Sequence, residues 1–334
     1  MLTDFVRALP KAELHVHLEG CLEAELLFEL AKRNDVTLPW ADADALRDAY
    51  RFSDLQSFLN LYFEGCRVLV REQDFYDVTR SYLSRAHADG VVRAEVFLGP
   101  QSFTERGTPT ADILGGSLRA IADAEDEHGI SAGLLVSTHR HRSEADAFAL
   151  LETVLPFADR LAGFGLGGAE VGNPPAKFAR YFEELRRLGF RTCAHAGEEG
   201  PAAYVREAVE VLHVDRIDHG LNVLDDPSLV RSLVAAGTPF TVCPLSNVKL
   251  NVVSSVRAHP VRAMLDVGLN VTINSDDPAY FDGYLVENYV QCDNAFDFGP
   301  RLLAELAANS IEASFMPAEA KPPFLKRISE LTEP

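Results

Sequence analysis

Short apolar runs recur along the chain and are separated by longer stretches in which apolar residues follow helical spacing. The runs predict eight strands, because each is short and rich in β-branched or aromatic residues. The intervening stretches, such as "DILGGSLRAIADAEDEHG" and "PPAKFARYFEELRRLG", end at a glycine, as helices often do. The predicted strands span residues 12–18, 91–98, 132–138, 161–168, 190–195, 216–219, 240–244 and 270–274.

Strands that alternate with helices predict a parallel sheet, and eight of them predict a closed (β/α)8 TIM barrel of the α/β class. We favour the barrel over an open doubly wound sheet because the chain lacks a G-x-G-x-x-G turn. Residues 1–334 are interpreted as one barrel domain. The stretch from about 23 to 90 is too long for one crossover helix, so it predicts a helical insertion after the first strand.

Aromatic residues are frequent in that insertion. They either wall a substrate pocket at the barrel mouth or pack inside the insertion itself, and the sequence leaves both interpretations open. These residues are Tyr50, Phe52, Phe58, Tyr62 and Phe63.

Composition narrows the class of protein. No stretch approaches the roughly 18 apolar residues that span a bilayer, and no secretory pattern opens the chain. The lack of a secretory pattern predicts a cytoplasmic location, and the five cysteines, which include no C-x-x-C pair, are predicted to be reduced thiols. A formal net charge of −19 argues against nucleic-acid polymers and anionic membranes as partners and favours a small molecule. Self-association as a homo-oligomer stays open.

Two histidines stand one residue apart in the first predicted strand, in "KAELHVHLEG". His15 and His17 therefore point to the same side of that strand. Either each is an ordinary histidine bonded to backbone, or the pair binds a metal ion. His195 ends the fifth strand and Asp276 follows the eighth, which barrel closure places beside the first. Three imidazoles and one carboxylate suit Zn²⁺, with Fe²⁺ or Co²⁺ as alternatives.

Groups suited to proton transfer follow the same strand ends. Glu198 lies three residues after His195, His219 ends the sixth strand in "RIDHG", and Asp277 follows Asp276. A metal ion lowers the pKa of a water molecule that it binds to about 7, and such groups accept and return its protons. The pattern predicts hydrolysis. One metal ion per chain is favoured over two, because "LAGFGLGG" offers no lysine to bridge a second.

Five motifs in order resemble the adenosine/adenine deaminase family of the amidohydrolase superfamily, over nearly the whole chain. They are "LPKAELHVHLEG", "HAGEEGP", "DRIDHG", "TVCPLSNVKL" and "NSDDPAYFDGY". The stretches "FSDLQSFLNLYFEG" and "EVGNPPAKFAR" look more like the adenine deaminase subgroup than like the nucleoside-specific enzymes. The resemblance implies zinc-dependent conversion of adenine to hypoxanthine and ammonia, in purine salvage. The alternatives are a deaminase of adenosine or of an N6- or N9-substituted adenine and, more remotely, a non-catalytic metal-binding barrel.

The resemblance also implies roles for individual residues. Glu198 would protonate N1 of the purine, and His219 would orient the attacking water and help to deprotonate it. Asp277 would bind N7, which requires either a protonated Asp277 or selection of the 7H tautomer, because N7 of the common 9H tautomer is an acceptor. Glu19 and Gly168 are further candidates for substrate contacts, and Asp276 is counted as catalytic as well as metal-binding.

The chain departs from the family pattern after the fourth strand. Adenine deaminases usually read close to "GLDSSEVGHPP" where this chain reads "GLGGAEVGNPP". Gly167, Gly168 and Ala169 thus replace polar side chains, and Asn173 replaces a histidine. Less side-chain bulk predicts a larger cavity that accepts a substituted adenine as well as adenine.

Overall fold

Eight parallel strands in consecutive order form the centre of the molecule, which a computed structural model describes for residues 2–332. Each lies where the sequence predicts a strand, so the eight predicted strands are confirmed, and every strand end agrees with the prediction to within two residues. Their bounds are β1 Lys11–His17, β2 Val91–Leu98, β3 Ser131–His139, β4 Leu161–Gly167, β5 Thr192–Ala196, β6 Arg216–His219, β7 Pro239–Val242 and β8 Asn270–Ile273.

The sheet closes between β1 and the segment that follows β8. A parallel bridge joins Val16 to Asp276, the His17 amide donates to the Asp276 carbonyl (2.8 Å), and the Asp276 amide donates to the His15 carbonyl (3.0 Å). The predicted (β/α)8 barrel is therefore confirmed. Because β1 and the loop after β8 share hydrogen bonds, closure also places His15 and His17 beside Asp276.

Helices surround the barrel, and their ends follow the capping residues of the sequence. Ser143 and Asp146 form a reciprocal capping box at the start of one helix, and left-handed Gly129 and Gly237 end two others. The helices are α1 Leu2–Ala8, α2 Ala24–Arg33, α3 Ala43–Asp48, α4 Leu55–Gly65, α5 Glu72–Ala88, α6 Gln101–Thr104, α7 Thr110–His128, α8 Glu144–Val154, α9 Ala179–Arg187, α10 Ala202–Glu210, α11 Pro227–Ala236, α12 Pro244–Lys249, α13 Val261–Asp266, α14 Leu285–Phe296, α15 Gly299–Ala313 and α16 Pro322–Thr332.

The long segment between β1 and β2 holds helices α2 to α5. Helix α5 packs against α7 and β2, as an outer-layer helix of a barrel does. Helix α4 instead lies over the barrel mouth, where Phe58 and Tyr62 are buried. Within residues 2–332, no helix is long and apolar enough to cross a membrane.

The barrel interior is closed below the mouth by a buried ion pair. Arg216, at the start of β6, donates to the carboxylate of Glu95 (2.8 Å), and both side chains are fully buried. Arg216 also donates to the Leu14 carbonyl (3.1 Å) and lies over the ring of Phe315. This layer is a packed floor, so polar groups that reach a cavity are confined to the carboxyl ends of the strands.

Candidate active site

Four side chains converge where the carboxyl ends of β1, β5 and β8 meet. Nε2 of His15 and Nε2 of His17 each lie 3.3 Å from Oδ1 of Asp276. Nε2 of His17 also lies 3.2 Å from Nε2 of His195. The structure thus brings together the four residues that the sequence predicts as metal ligands, although they span more than 250 residues of the chain.

A fifth side chain, His219, approaches the same point. Ligand atoms of His15, His195, His219 and Asp276 all lie within 4.8 Å of one another, and those of His17, Asp276 and Asp277 form a second such group. The two groups share Asp276, so they describe one centre. Nitrogen and carboxylate donors at this spacing suit a transition metal ion.

The surroundings of the cluster fit a cation. Nε2 of His15 is buried and has no hydrogen-bond partner within residues 2–332. Burial by itself would lower the pKa of His17, but the carboxylates of Asp277 and Asp276 outweigh it and raise that pKa to about 9. The cluster therefore favours positive charge, and a divalent ion held there would provide a partner for the buried Nε2 of His15 and for the carboxylates.

Asp218, on β6 beneath the cluster, fixes the tautomers of two of the imidazoles. Thr241 donates its hydroxyl to Asp218 Oδ1 (2.9 Å), so its remaining lone pair accepts from Nδ1 of His15 at 3.0 Å. Nδ1 of His195 lies 3.4 Å from Asp218 Oδ2. With hydrogens on both Nδ1 atoms, the Nε2 lone pairs point at the cluster, which is the arrangement that metal-binding histidines need.

Asp218 was not predicted as a site residue, although it precedes His219 in "RIDHG". Burial tends to raise the pKa of this carboxyl, but His195, His15 and Arg216 outweigh burial and hold the pKa below its usual range. The alternation of side chains along β6 could have indicated it, because Arg216 and Asp218 lie two residues apart and point to the same side of the strand.

Glu198 is held by a relay from the β7 side of the barrel. A backbone amide donates to Nδ1 of His259 (3.0 Å), so Nε2 of His259 carries the hydrogen and donates to Oδ1 of Asn247 (3.1 Å). Asn247 in turn donates to Oε1 of Glu198 (2.9 Å). The other oxygen, Oε2, lies 3.5 Å from Nε2 of His219 and faces the pocket. Sequence reasoning missed Asn247 and His259, which are far from Glu198 along the chain.

Burial shifts the pKa values of Glu198 and His219 in opposite directions. Burial, followed by the charges of Asp276 and Glu170, raises the pKa of Glu198 well above its usual range. Burial and the neighbouring His15 lower the pKa of His219 well below its usual range. These shifts favour the protonated form of Glu198 and the neutral form of His219, which suits one group to donate a proton and the other to accept one.

Asp277 and Glu19 lie next to the cluster on the β1 side. Burial, followed by the charge of Asp276, raises the pKa of Asp277 well above its usual range. Among residues 2–332 its buried Oδ1 has no hydrogen-bond partner, and only a glycine fits at position 20, where a Cβ would lie 2.0 Å from that oxygen. Glu19 accepts from the Gly99 amide (2.9 Å) and lies behind the cavity wall rather than on it.

A cavity opens beside the cluster. Helix α4 covers one side of it, the metal-ligand and acid–base groups form the floor, and the ends of β3 and β4 form the third side. Of the aromatic residues that the sequence singled out, three line the cavity, whereas Tyr50 and Phe52 pack behind them. The lining residues are His17, Leu55, Phe58, Leu59, Tyr62, Phe63, Ser137, His139, Gly168, His195, Glu198, His219, Leu250, Asp276 and Asp277.

His139 is a polar wall residue that sequence reasoning also missed. It ends β3, and burial lowers its pKa to about 3, so the ring is neutral. A Cβ at position 99 would lie 2.9 Å from its Nε2, and that nitrogen is 3.3 Å from the Ser102 hydroxyl. Gly99 therefore makes room for an imidazole at this wall.

Two site residues have left-handed backbone conformations. The φ angles are +62° at His219 and +67° at Asp276. Such angles cost a non-glycine residue about 1–2 kcal/mol, and they cluster at functional sites. Ser246 donates to Asp276 Oδ2 (2.6 Å) and helps to hold that carboxylate in place.

The barrel and the buried histidine–aspartate cluster at the carboxyl ends of its strands are typical of amidohydrolase-type enzymes. The family model described as adenosine deaminase matches residues 10–331, and the chain belongs to that family.

Relatives over nearly the full length carry more specific names. A protein named adenine deaminase from Rhodopseudomonas palustris is 55% identical over 98% of this chain and 96% of its own length. The crystal structure of adenine deaminase from Arthrobacter aurescens has a TM-score of 0.94 and 48% identity, covering 96% of this chain and 98% of that one. An amidohydrolase from Burkholderia ambifaria with bound Zn has a TM-score of 0.91 and 30% identity, covering 98% and 93%.

Proposed function

We propose that this chain is an adenine deaminase, which adds water to C6 of adenine and releases hypoxanthine and ammonia. The observation that carries the proposal is the pair of buried carboxyls, Glu198 and Asp277, which both line the cavity beside the histidine–aspartate cluster and have raised pKa values that favour their protonated forms. Both can donate to the ring nitrogens of a purine, which are acceptors. Relatives about half identical over nearly the full length are named adenine deaminase, which supports the same substrate.

We assign one Zn²⁺ per chain, held by His15, His17, His195 and Asp276. The Zn in an amidohydrolase relative and the donor set support this choice. His219 is excluded from the shell because its Nε2 lies nearer to Glu198 (3.5 Å) than to Asp276 (3.9 Å). A divalent ion in such a site activates a water molecule as a Lewis acid.

The chain's own groups move the protons. Neutral His219 takes a proton from the attacking water, and Glu198 gives its proton to N1, which makes C6 electrophilic. The proton taken up by His219 then passes to the departing amino group as the C6–N6 bond breaks, and the proton of the C6 hydroxyl passes to Glu198, which restores the acid and leaves the C6 carbonyl of hypoxanthine. One water is consumed and one ammonia leaves, so the reaction balances.

The remaining contacts orient the ring. A protonated Asp277 donates to N7 of the 9H tautomer, and its orphaned buried oxygen supports that role. The amide of Gly168, on the cavity wall, contacts the N3 edge. Glu19 supports the cavity wall from behind, through the hydrogen bond that its carboxylate accepts from the Gly99 amide. The buried free thiols of residues 2–332 are consistent with action in the cytoplasm, within purine salvage.

The test is turnover of a purine panel by the zinc-loaded protein. Adenine, adenosine and N6-alkyl adenines are followed by ultraviolet absorbance and by ammonia release. We expect the highest kcat/KM on adenine, with measurable turnover of one substituted adenine because Gly168 places no side chain on the cavity wall. A higher kcat/KM on adenosine than on adenine would identify adenosine as the substrate. No turnover of any purine would favour a non-catalytic metal-binding barrel.

A further inference from the structure

The loop that follows β5 carries Glu198, and one buried carboxylate holds its backbone. Glu170 Oε1 accepts from the amide of Gly197 (2.6 Å). Glu170 Oε2 accepts from the next three amides, those of Glu198 (3.0 Å), Glu199 (2.8 Å) and Gly200 (2.9 Å). Successive amides that point at one anion form a binding concavity, and here the protein supplies the anion itself.

The carbonyl side of the same loop is held by Asn222. Its Nδ2 donates to the carbonyls of Glu198 (3.2 Å) and Gly200 (2.8 Å), and its own amide donates to the Gly197 carbonyl (2.9 Å). Loops are normally the mobile part of a barrel. This loop has partners on both faces, so its position is fixed by the β4 and β6 loops.

The glycines of "HAGEEG" permit this geometry. A Cβ at position 200 would lie 2.6 Å from Oε1 of Glu170 and 2.5 Å from Cδ2 of Tyr204. Gly197 has a φ of +79°, which an L side chain rarely adopts. Both glycines thus bring the amides close to the carboxylate.

We propose that Glu170 is a positioning residue that acts through Glu198, an inference that rests on the proposed function. Glu170 is 1% exposed and does not line the cavity, so it does not touch the substrate. Its carboxylate fixes the segment from which the Glu198 side chain reaches the pocket. A reacting group misplaced by about 1 Å can cost about 10²-fold in rate, so loss of this anchor acts on kcat.

A double-mutant cycle tests the proposal on the zinc-loaded enzyme with adenine. Glutamine keeps the shape of Glu170 but turns one acceptor oxygen into a donor, which faces amide donors. We expect Glu170→Gln to lower kcat about 10- to 100-fold, with KM within about threefold and unchanged metal content. In the Glu198→Gln background, Glu170→Gln should lower kcat no further. Glu144→Gln is the matched control, since Glu144 also accepts two backbone amides but lies away from the cavity.

An equal fold-loss of kcat in both backgrounds, or loss of metal in Glu170→Gln, would overturn the proposal. If Glu170→Gln does not fold, Asn222→Ala takes its place in the cycle, with the same expected and contrary results. Amide hydrogen exchange separates this proposal from the proposed function. If the wild-type enzyme does not deaminate adenine, the proposed function is refuted but the role of Glu170 is not. If the amides of residues 197–200 exchange at the same rate in Glu170→Gln as in wild type, the positioning role of Glu170 is refuted.

Discussion

Replacing Glu198 by glutamine should separate proton donation from every other property of that side chain. Asn247 donates to Oε1 of Glu198, and the amide oxygen of glutamine can accept the same bond. The amide nitrogen then stands where Oε2 stood, 3.5 Å from His219, and can still donate a hydrogen bond to the substrate. It cannot transfer a proton, so only the acid function is lost.

The expected loss follows from that function. General acid catalysis contributes about 10²- to 10⁴-fold, which corresponds to about 2.7–5.4 kcal/mol of transition-state stabilisation. Glu198 is buried at 5% exposure, so solvent water cannot easily replace it as donor. We therefore expect kcat on adenine to fall by that factor, with KM changed by less than about fivefold.

The assay is steady-state deamination of adenine, followed by ultraviolet absorbance, with metal content measured in parallel. Glu144→Gln serves again as the isosteric control. A Glu198→Gln enzyme within about tenfold of wild-type kcat would refute the acid role, because it would mean that the main donor to N1 is another group. Loss of metal from this variant would equally contradict the assignment, since Glu198 is not placed in the metal shell.

Three further outcomes are expected. His17→Ala should lower metal content below one ion per chain in elemental analysis, and full occupancy would contradict the assigned shell. Gly168→Ala should raise KM for adenine. The control is Gly129→Ala, because Gly129 (φ +68°) has a left-handed backbone like that of Gly168 (φ +90°) but faces open space, so this variant should lose stability without a change in KM. Equal KM values in the two variants would refute the contact between Gly168 and the purine. Burial lowers the pKa of His259 to about 3 from 6.5, so its contribution to stability is present above pH 6.5 and is lost as pH falls toward 3. Urea unfolding should show about 2 kcal/mol of this loss by pH 5 in wild type, and the same slope in His259→Gln would refute it.

The sequence by itself determined the architecture and the identity of the central groups. Eight short apolar runs alternate with helical stretches. Such runs identify the strands because a strand of a parallel sheet buries its side chains on both faces. Knowing that the strands form a barrel places His15, His17, His195 and Asp276 at one end, since parallel strands all end at the same side.

Tertiary structure alone decided how these groups are held and in which protonation state. Asn247 and Glu170 contact Glu198 from segments that follow other strands, and His259 acts on it only through Asn247, so no local sequence pattern links them to Glu198. The raised pKa of Glu198 and the lowered pKa of His219 both arise from burial, which depends on residues distant in the chain. Spacing along a sequence identifies which groups can meet, but orientation, desolvation and proton occupancy follow from what surrounds them in three dimensions.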